Sequence, residues 1–216
     1  MPEFNFIQKL VIYAVPVLFA ITVHEVAHGW IASKLGDQTA KMMGRLTLNP
    51  IKHIDSIGTI VVPIMMLLVS PFILGWAKPV PVDWRNLRRP KQDMAWVAIA
   101  GPGANLIMMI FWALLAKIII VSGLGNYHYS VPVIAMAMVG IGINIVLMVL
   151  NLIPIPPLDG SRVLSAALPP KAAYQYNRLE PYGLIIVLLL LFSGVLGKFF
   201  FPVVDFFNSS VKSLIL

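Results

Sequence analysis

The chain has 216 residues, 59% hydrophobic and only 12% charged, and its mean hydropathy is +0.86. Soluble domains carry roughly 25% charge and 45–50% apolar residues, so an ordinary water-soluble globule is excluded and the sequence reads as an integral membrane protein of one domain, 1–216. The net charge of +7 falls between apolar runs, which signals membrane orientation and no nucleic-acid partner; the lack of cysteine excludes disulfides, thiolate metal sites and cysteine nucleophiles.

The first apolar segment covers 6–33. A bilayer core about 30 Å thick needs about 20 helical residues, and this segment is long enough. It lacks a basic leader and a small-residue cleavage site, so it reads as a retained helix and not as a cleaved signal peptide. It also holds His24-Glu25-Val26-Ala27-His28, an H-E-x-x-H pattern. Titratable groups within a membrane segment are costly and point to function. On a helix, side chains four apart share a face. Both imidazoles can therefore reach one metal, with Glu25 beside it to activate a water. A buried polar cluster satisfied by neighbouring helices, or a proton relay, is the plainer alternative.

A loop with Lys34, Lys41, Arg45, Lys52, His53 and Asp55 follows. The apolar stretch 57–76 is only marginally long and contains Pro63 and Pro71. A second basic loop carries Lys78, Arg85, Arg88, Arg89 and Lys91, flanked by Trp76, Trp84 and Trp96 as interfacial anchors. The segment 94–122 opens near Ala100-Gly101-Pro102-Gly103-Ala104-Asn105. Gly101, Gly103 and Ala104 permit close helix packing, and Asn105 reads as a cap or a bond between helices. An uncharged turn, 123–130, holds His128. The segment 131–155 contains Asn144, which reads as interhelical glue, and its methionines, with Met108 and Met109 before it, read as packing or lipid contact. The final segment is 183–204.

Orientation follows the basic residues. If 57–76 crossed fully, the two basic loops would face opposite sides. If it dips in and returns, twelve of the 16 basic residues share one side, the cytosol. The expected fold is therefore an all-α polytopic membrane protein of 4–5 transmembrane helices, with a re-entrant, β-hairpin-like region between the first helix and the Asn105 helix. Both termini lie outside.

Two histidines do not complete a catalytic zinc site, which takes three protein ligands and an open position. His53, Asp55, His128 and Asp159 are the candidates for the third. Asp159 follows Asn151-Leu-Ile-Pro-Ile-Pro-Pro-Leu158, where Pro154, Pro156 and Pro157 break the helix. Non-helical backbone at membrane depth is tolerated only where it is buried or lines a wet cavity. The fourth segment also returns to the side where His28 lies. On spacing alone, Asp159 is equally a metal ligand or an N-cap of the helix after it. His53 and Asp55 read more readily as solvated loop residues than as partners of a metal-bound imidazole.

Taken together, His24-Glu25-x-x-His28, Ala100-Gly-Pro-Gly-Ala-Asn105 and Asn151…Pro154…Leu158-Asp159-Gly160 resemble the site-2 protease family of intramembrane zinc metalloproteases. Gly44-Arg-Leu-Thr-Leu-Asn-Pro50 with His53, Asp55, Gly58 and Thr59, and Gly75-Trp-Ala-Lys-Pro-Val-Pro-Val82, resemble its compact bacterial and archaeal members that lack a PDZ domain. The resemblance implies one Zn2+ per chain on His24, His28 and Asp159. It implies Glu25 as general base and then acid, and Asn151 as the residue that holds substrate backbone or stabilises the oxyanion. Residues 36–56 and 75–82 would form a membrane-dipping hairpin that presents substrate as an extended strand. The implied reaction is regulated intramembrane proteolysis of a single-pass membrane protein or a residual transmembrane peptide. It would take place in the plasma membrane, with the active site toward the cytoplasm. A divalent-metal transporter is the rival class, but its usual internal repeats are not seen.

Overall fold

A computed structural model describes residues 4–62, 64–65 and 75–215, and among these no strand forms. Helix α1 (Phe6–Leu35) begins at a reciprocal cap: Gln8 N–H donates to Asn5 Oδ1 at 2.8 Å, and Asn5 N–H to Gln8 Oε1 at 2.9 Å. It ends at Gly36, whose φ of 122° and proximity to Asn86 O admit no side chain. A short turn α2 (Thr39–Met42) follows. Helix α3 (Pro90–Val121) starts on a proline and is capped by Asp93, which accepts Arg89 N–H at 2.8 Å. Helix α4 spans Val131–Asn151. At 1.5 Å per residue the three long helices run about 45, 48 and 31 Å, each enough to cross a bilayer.

Helices α1, α3 and α4 pack against one another through small residues, among them Ala20, Ala98, Ala116 and Ala137, all fully buried or nearly so. A side chain on Gly140 would come within 2.5 Å of the Trp112 ring. Close approach of this kind, with hydrogen bonds between helices, is what holds helices together in lipid. Asn105 and Asn144 provide those bonds and are completely buried. Phe6, Ile7, Ile107, Ile118 and Val121 point outward as the apolar surface that lipid covers.

Beyond α4 come α5 (Asp159–Ala167), α6 (Pro170–Asn177), α7 (Gly183–Phe192) and α8 (Val195–Ile215). A single crossing by 183–204 is not what forms. Gly194, at φ 74°, breaks the run, and α8 leaves at 79° to the Pro170–Phe192 stretch. Ten residues of α7 reach only about 15 Å, so these helices make one broken span at most. Three helices are long and apolar enough to cross, or four counting the bent pair. α8 lies against α3 and α4, and Lys117 Nζ donates to Leu214 O at 2.6 Å near its end.

Half of the 57–76 stretch (63 and 66–74) lies outside the described residues, but its two ends touch. Trp76 N–H donates to Gly58 O at 3.0 Å, Thr59 Oγ1 to Trp76 O at 2.8 Å, and Lys78 N–H to His53 O at 2.9 Å. From there residues 75–83 run as an irregular strap beneath α1. Asp37, fully buried just past α1, fixes the end of the strap. It accepts Asp83 N–H at 2.8 Å, Asn86 Nδ2 at 3.2 Å and Thr39 N–H at 3.0 Å.

Burial opposes ionisation of Asp37, but these donors, with the Thr39 hydroxyl, outweigh it and hold the carboxyl below its ordinary 3.8. As pH falls the unfolded chain therefore takes up the proton first. The stabilisation is complete above about pH 4 and is lost as pH drops through the lowered native value. Thermal unfolding of the detergent-solubilised protein down to about pH 3 is expected to show that loss. Asp37→Asn is expected to lower the midpoint at neutral pH and flatten part of the acid decline.

Candidate metal centre

His24 and His28 lie one turn apart on α1 and face α3 and the first turn of α5. His24 Nδ1–H donates to Asn105 Oδ1 at 2.7 Å, and His28 Nδ1–H to Val97 O at 2.7 Å. In the neutral ring with its hydrogen on Nδ1, Nε2 offers a lone pair to a metal. The two Nε2 atoms sit 3.1 Å apart, and each is 3.3 Å from Asp159 Oδ2. Asp159 Oδ2 is buried and has no hydrogen-bond donor. Three electron-rich atoms thus converge on one point, an arrangement that repels itself unless a cation is shared. Two imidazoles and one carboxylate at this spacing suit a divalent metal such as zinc.

The sequence left Asp159 divided between ligand and N-cap. In the fold Leu158 occupies the N-cap position and Asp159 is the first helical residue. Its side chain lies against the histidines. Gly160 lets the ligand turn close: a Cβ there would meet Leu152 O at 2.3 Å.

A directed chain of donors sets the His24 tautomer. Asn144 Nδ2 donates to Gly140 O at 2.7 Å, Asn105 Nδ2 to Asn144 Oδ1 at 2.9 Å, and His24 Nδ1 to Asn105 Oδ1. Asn144 is the interhelical bond expected of it. Asn105 does more than cap or bridge, because it also orients the imidazole. Loss of such an orienting partner lowers metal affinity about 10–100-fold. Asn105→Leu is expected to do so in a zinc-competition titration, with the helices still folded.

Gly101 underlies both rings. A Cβ there would lie 2.4 Å from His28 Nε2 and 2.5 Å from His24 Cε1. Gly101→Ala is therefore expected to reduce bound zinc to a small fraction of a molar equivalent, read by metal analysis, with helix content unchanged.

Glu25 projects beside the histidines, and its Oε2 accepts Val80 N–H from the strap at 2.8 Å. It opens, with the three converging residues, onto a cavity of about 830 Å³. The strap residues Trp76, Val80 and Val82 form one wall, and Leu184, Val187 and Leu188 of α7 form another. Asn151 ends α4 at the rim of this cavity and donates Nδ2 to its own helix at Leu147 O, 3.0 Å.

The remaining candidates lie elsewhere. His53 is buried rather than solvated and donates Nε2–H to Thr47 O at 2.9 Å. Asp55 caps the turn after it, accepting Ile57 N–H and Gly58 N–H. Both build the loop that anchors the strap. Residue 128 lies in the turn between α3 and α4, at the other end of α3 from Val97. Trp76 and Trp84 face the cavity instead of serving only as interfacial anchors, and Trp84 lies under the Arg162 guanidinium at 5.8 Å.

The chain is 36% identical over 202 residues to "Putative zinc metalloprotease YwhC" of Bacillus subtilis, which covers 93% of this chain and 89% of the relative. The chain belongs to the site-2 protease family. "Putative zinc metalloprotease Rip2" of Mycolicibacterium smegmatis is 27% identical over 88% of this chain and 70% of its own length, and the Mycobacterium tuberculosis protein of the same name is 25% identical. No family model and no solved structure matches. Membership makes the chain a zinc metalloprotease with several apolar helices, and zinc its cofactor. The converging histidines and aspartate are a donor set able to hold a metal ion, of the chemistry that zinc requires.

Proposed function

We propose that the protein is an intramembrane endopeptidase, with zinc held by His24, His28 and Asp159 and with Glu25 as general base. One observation carries this reading. Three potential ligand atoms converge inside a membrane helix bundle, next to a carboxylate that shares their cavity.

Zinc held by these residues supplies a Lewis acid for the scissile carbonyl and a water acidified toward neutral pH. Glu25 accepts the proton of the attacking water and returns it to the leaving amine. Val80 N–H anchors one oxygen of Glu25 and keeps the carboxylate turned toward the ligand cluster. Asn151, at the rim, donates to the developing oxyanion after releasing Leu147 O, a contact worth about 3 kcal/mol by comparison with oxyanion-hole amides.

A peptide bond within a transmembrane helix must lose its own hydrogen bonds before attack. The strap runs beside the site and forms one wall of its cavity, along which an unwound substrate segment can lie. The contact between residues 58 and 76 supports a reading in which the two ends of the 57–76 stretch lie on one side of the membrane. The basic loops then share the cytosolic face, and the site opens toward it. The substrate is a single-pass membrane protein or the transmembrane remnant of one.

The test is cleavage, in detergent and in vesicles, of a panel of transmembrane helices against water-soluble peptides of the same cut sequence. Cutting of the membrane helices, abolished by chelation and restored by zinc, supports the reading. Cutting of soluble peptides alone would overturn the intramembrane part, and zinc binding with no cutting of any helix would overturn the protease itself.

A further inference from the structure

The strap reads Lys78-Pro79-Val80-Pro81-Val82. Proline carries no N–H, so Val80 has the sole amide donor between Lys78 and Val82. That donor is spent on Glu25 Oε2 at 2.8 Å. The same peptide group is gripped from its other end. Arg45, 91% buried by its 9% exposure, donates one guanidinium nitrogen to Lys78 O at 2.9 Å and to Pro79 O at 3.3 Å. No carboxylate among the described residues forms an ion pair with Arg45. A buried guanidinium is costly unless its donors are used; Nη2 is used on two consecutive carbonyls, while Nε is buried without a partner.

The carbonyl and N–H of a trans peptide point in opposite directions. A hold on Pro79 O therefore fixes where the Val80 N–H points, and that N–H aims Glu25. We propose that Arg45 is a positioning residue for Glu25, acting through the Pro79–Val80 peptide. Among the described residues no hydrogen bond or ion pair joins Arg45 to Glu25 directly, and the strap links them. Asp37 fixes the far end at Asp83 N–H and leaves the middle of the strap to Arg45. The proposal takes Glu25 to be the general base, as argued above.

The test uses Arg45→Met, which keeps the length of the stem and removes the donors, and Arg45→Lys, which keeps a donor. Both are made in the full chain and also in an Ala77→Cys background, where the absence of native cysteine makes the label unambiguous. In Arg45→Met, release of the strap is expected to raise the rate of maleimide labelling at position 77 about threefold or more, a local opening that requires no catalysis. On a cleavable transmembrane helix, kcat is expected to fall about tenfold or more through misplacement of the base. Zinc content stays at that of the wild type and KM moves little. Arg45→Lys recovers most of the loss.

Unchanged labelling and unchanged kcat in Arg45→Met would overturn the proposal. So would an equal loss in both variants accompanied by loss of zinc, which marks a general structural role. A wild type that cleaves no helix sinks the protease reading instead, and labelling then decides by itself whether Arg45 holds the strap.

Discussion

Glu25→Gln is expected to abolish proteolysis while the protein keeps its zinc. Glutamine has nearly the shape of glutamate, and its carbonyl oxygen can still accept Val80 N–H at the 2.8 Å contact. None of the three converging ligands is altered. What disappears is a group able to take and return a proton, a function worth about 10²–10⁴-fold. Single-turnover cleavage of a transmembrane helix, with metal analysis of the same preparations, separates the two effects. Equal zinc with cleavage reduced by that factor assigns the base. Equal zinc with undiminished cleavage would remove Glu25 from the mechanism.

Asp159→Ala is expected to lose zinc, activity and zinc-dependent stability together. The two histidines remain, but a catalytic zinc site takes three protein ligands. Asp159 Oδ2 lies 3.3 Å from both imidazoles and has no other partner. In the wild type, free zinc at about a hundred times its Kd adds about 2.7 kcal/mol of stability, provided the unfolded chain does not bind it. Melting curves with and without zinc show this as a shift in Tm, and in Asp159→Ala the two curves should coincide. A variant that still gained stability from zinc and still cut its substrate would assign the third ligand elsewhere.

Much of this was legible before the fold. Spacing alone placed His24 and His28 on one face of a membrane helix with Glu25 beside them, because residues four apart are nearly eclipsed at 3.6 residues per turn. Asp159 was ambiguous because an aspartate after a proline break serves equally well as cap or ligand. Only the packing of α5 against α3 decides which way it turns. Asn105, Gly101 and Val97 were not found as parts of the site, since their roles depend on which residues of α3 lie beneath α1. Sequence periodicity does not reveal such a register when every face of a helix is apolar. The break at Gly194 escaped for a related reason. Hydropathy averages over a window, and a single glycine in a strongly apolar run barely lowers it. Arg45 read as an orientation signal because a charge count cannot show that a guanidinium is buried on two carbonyls.

The order of the ligands along the chain, joined to the Asn144–Asn105–His24 donor chain, has a consequence during synthesis. A ribosome delivers His24 and Glu25 to the membrane early, yet the imidazole has no oriented tautomer until α3 and α4 arrive. The carboxylate ligand follows only in the last third of the chain. On the proposed ligand set, a half-made molecule therefore holds no assembled site. Insertion and assembly of the helices act as the safety catch that a secreted protease gets from a pro-segment.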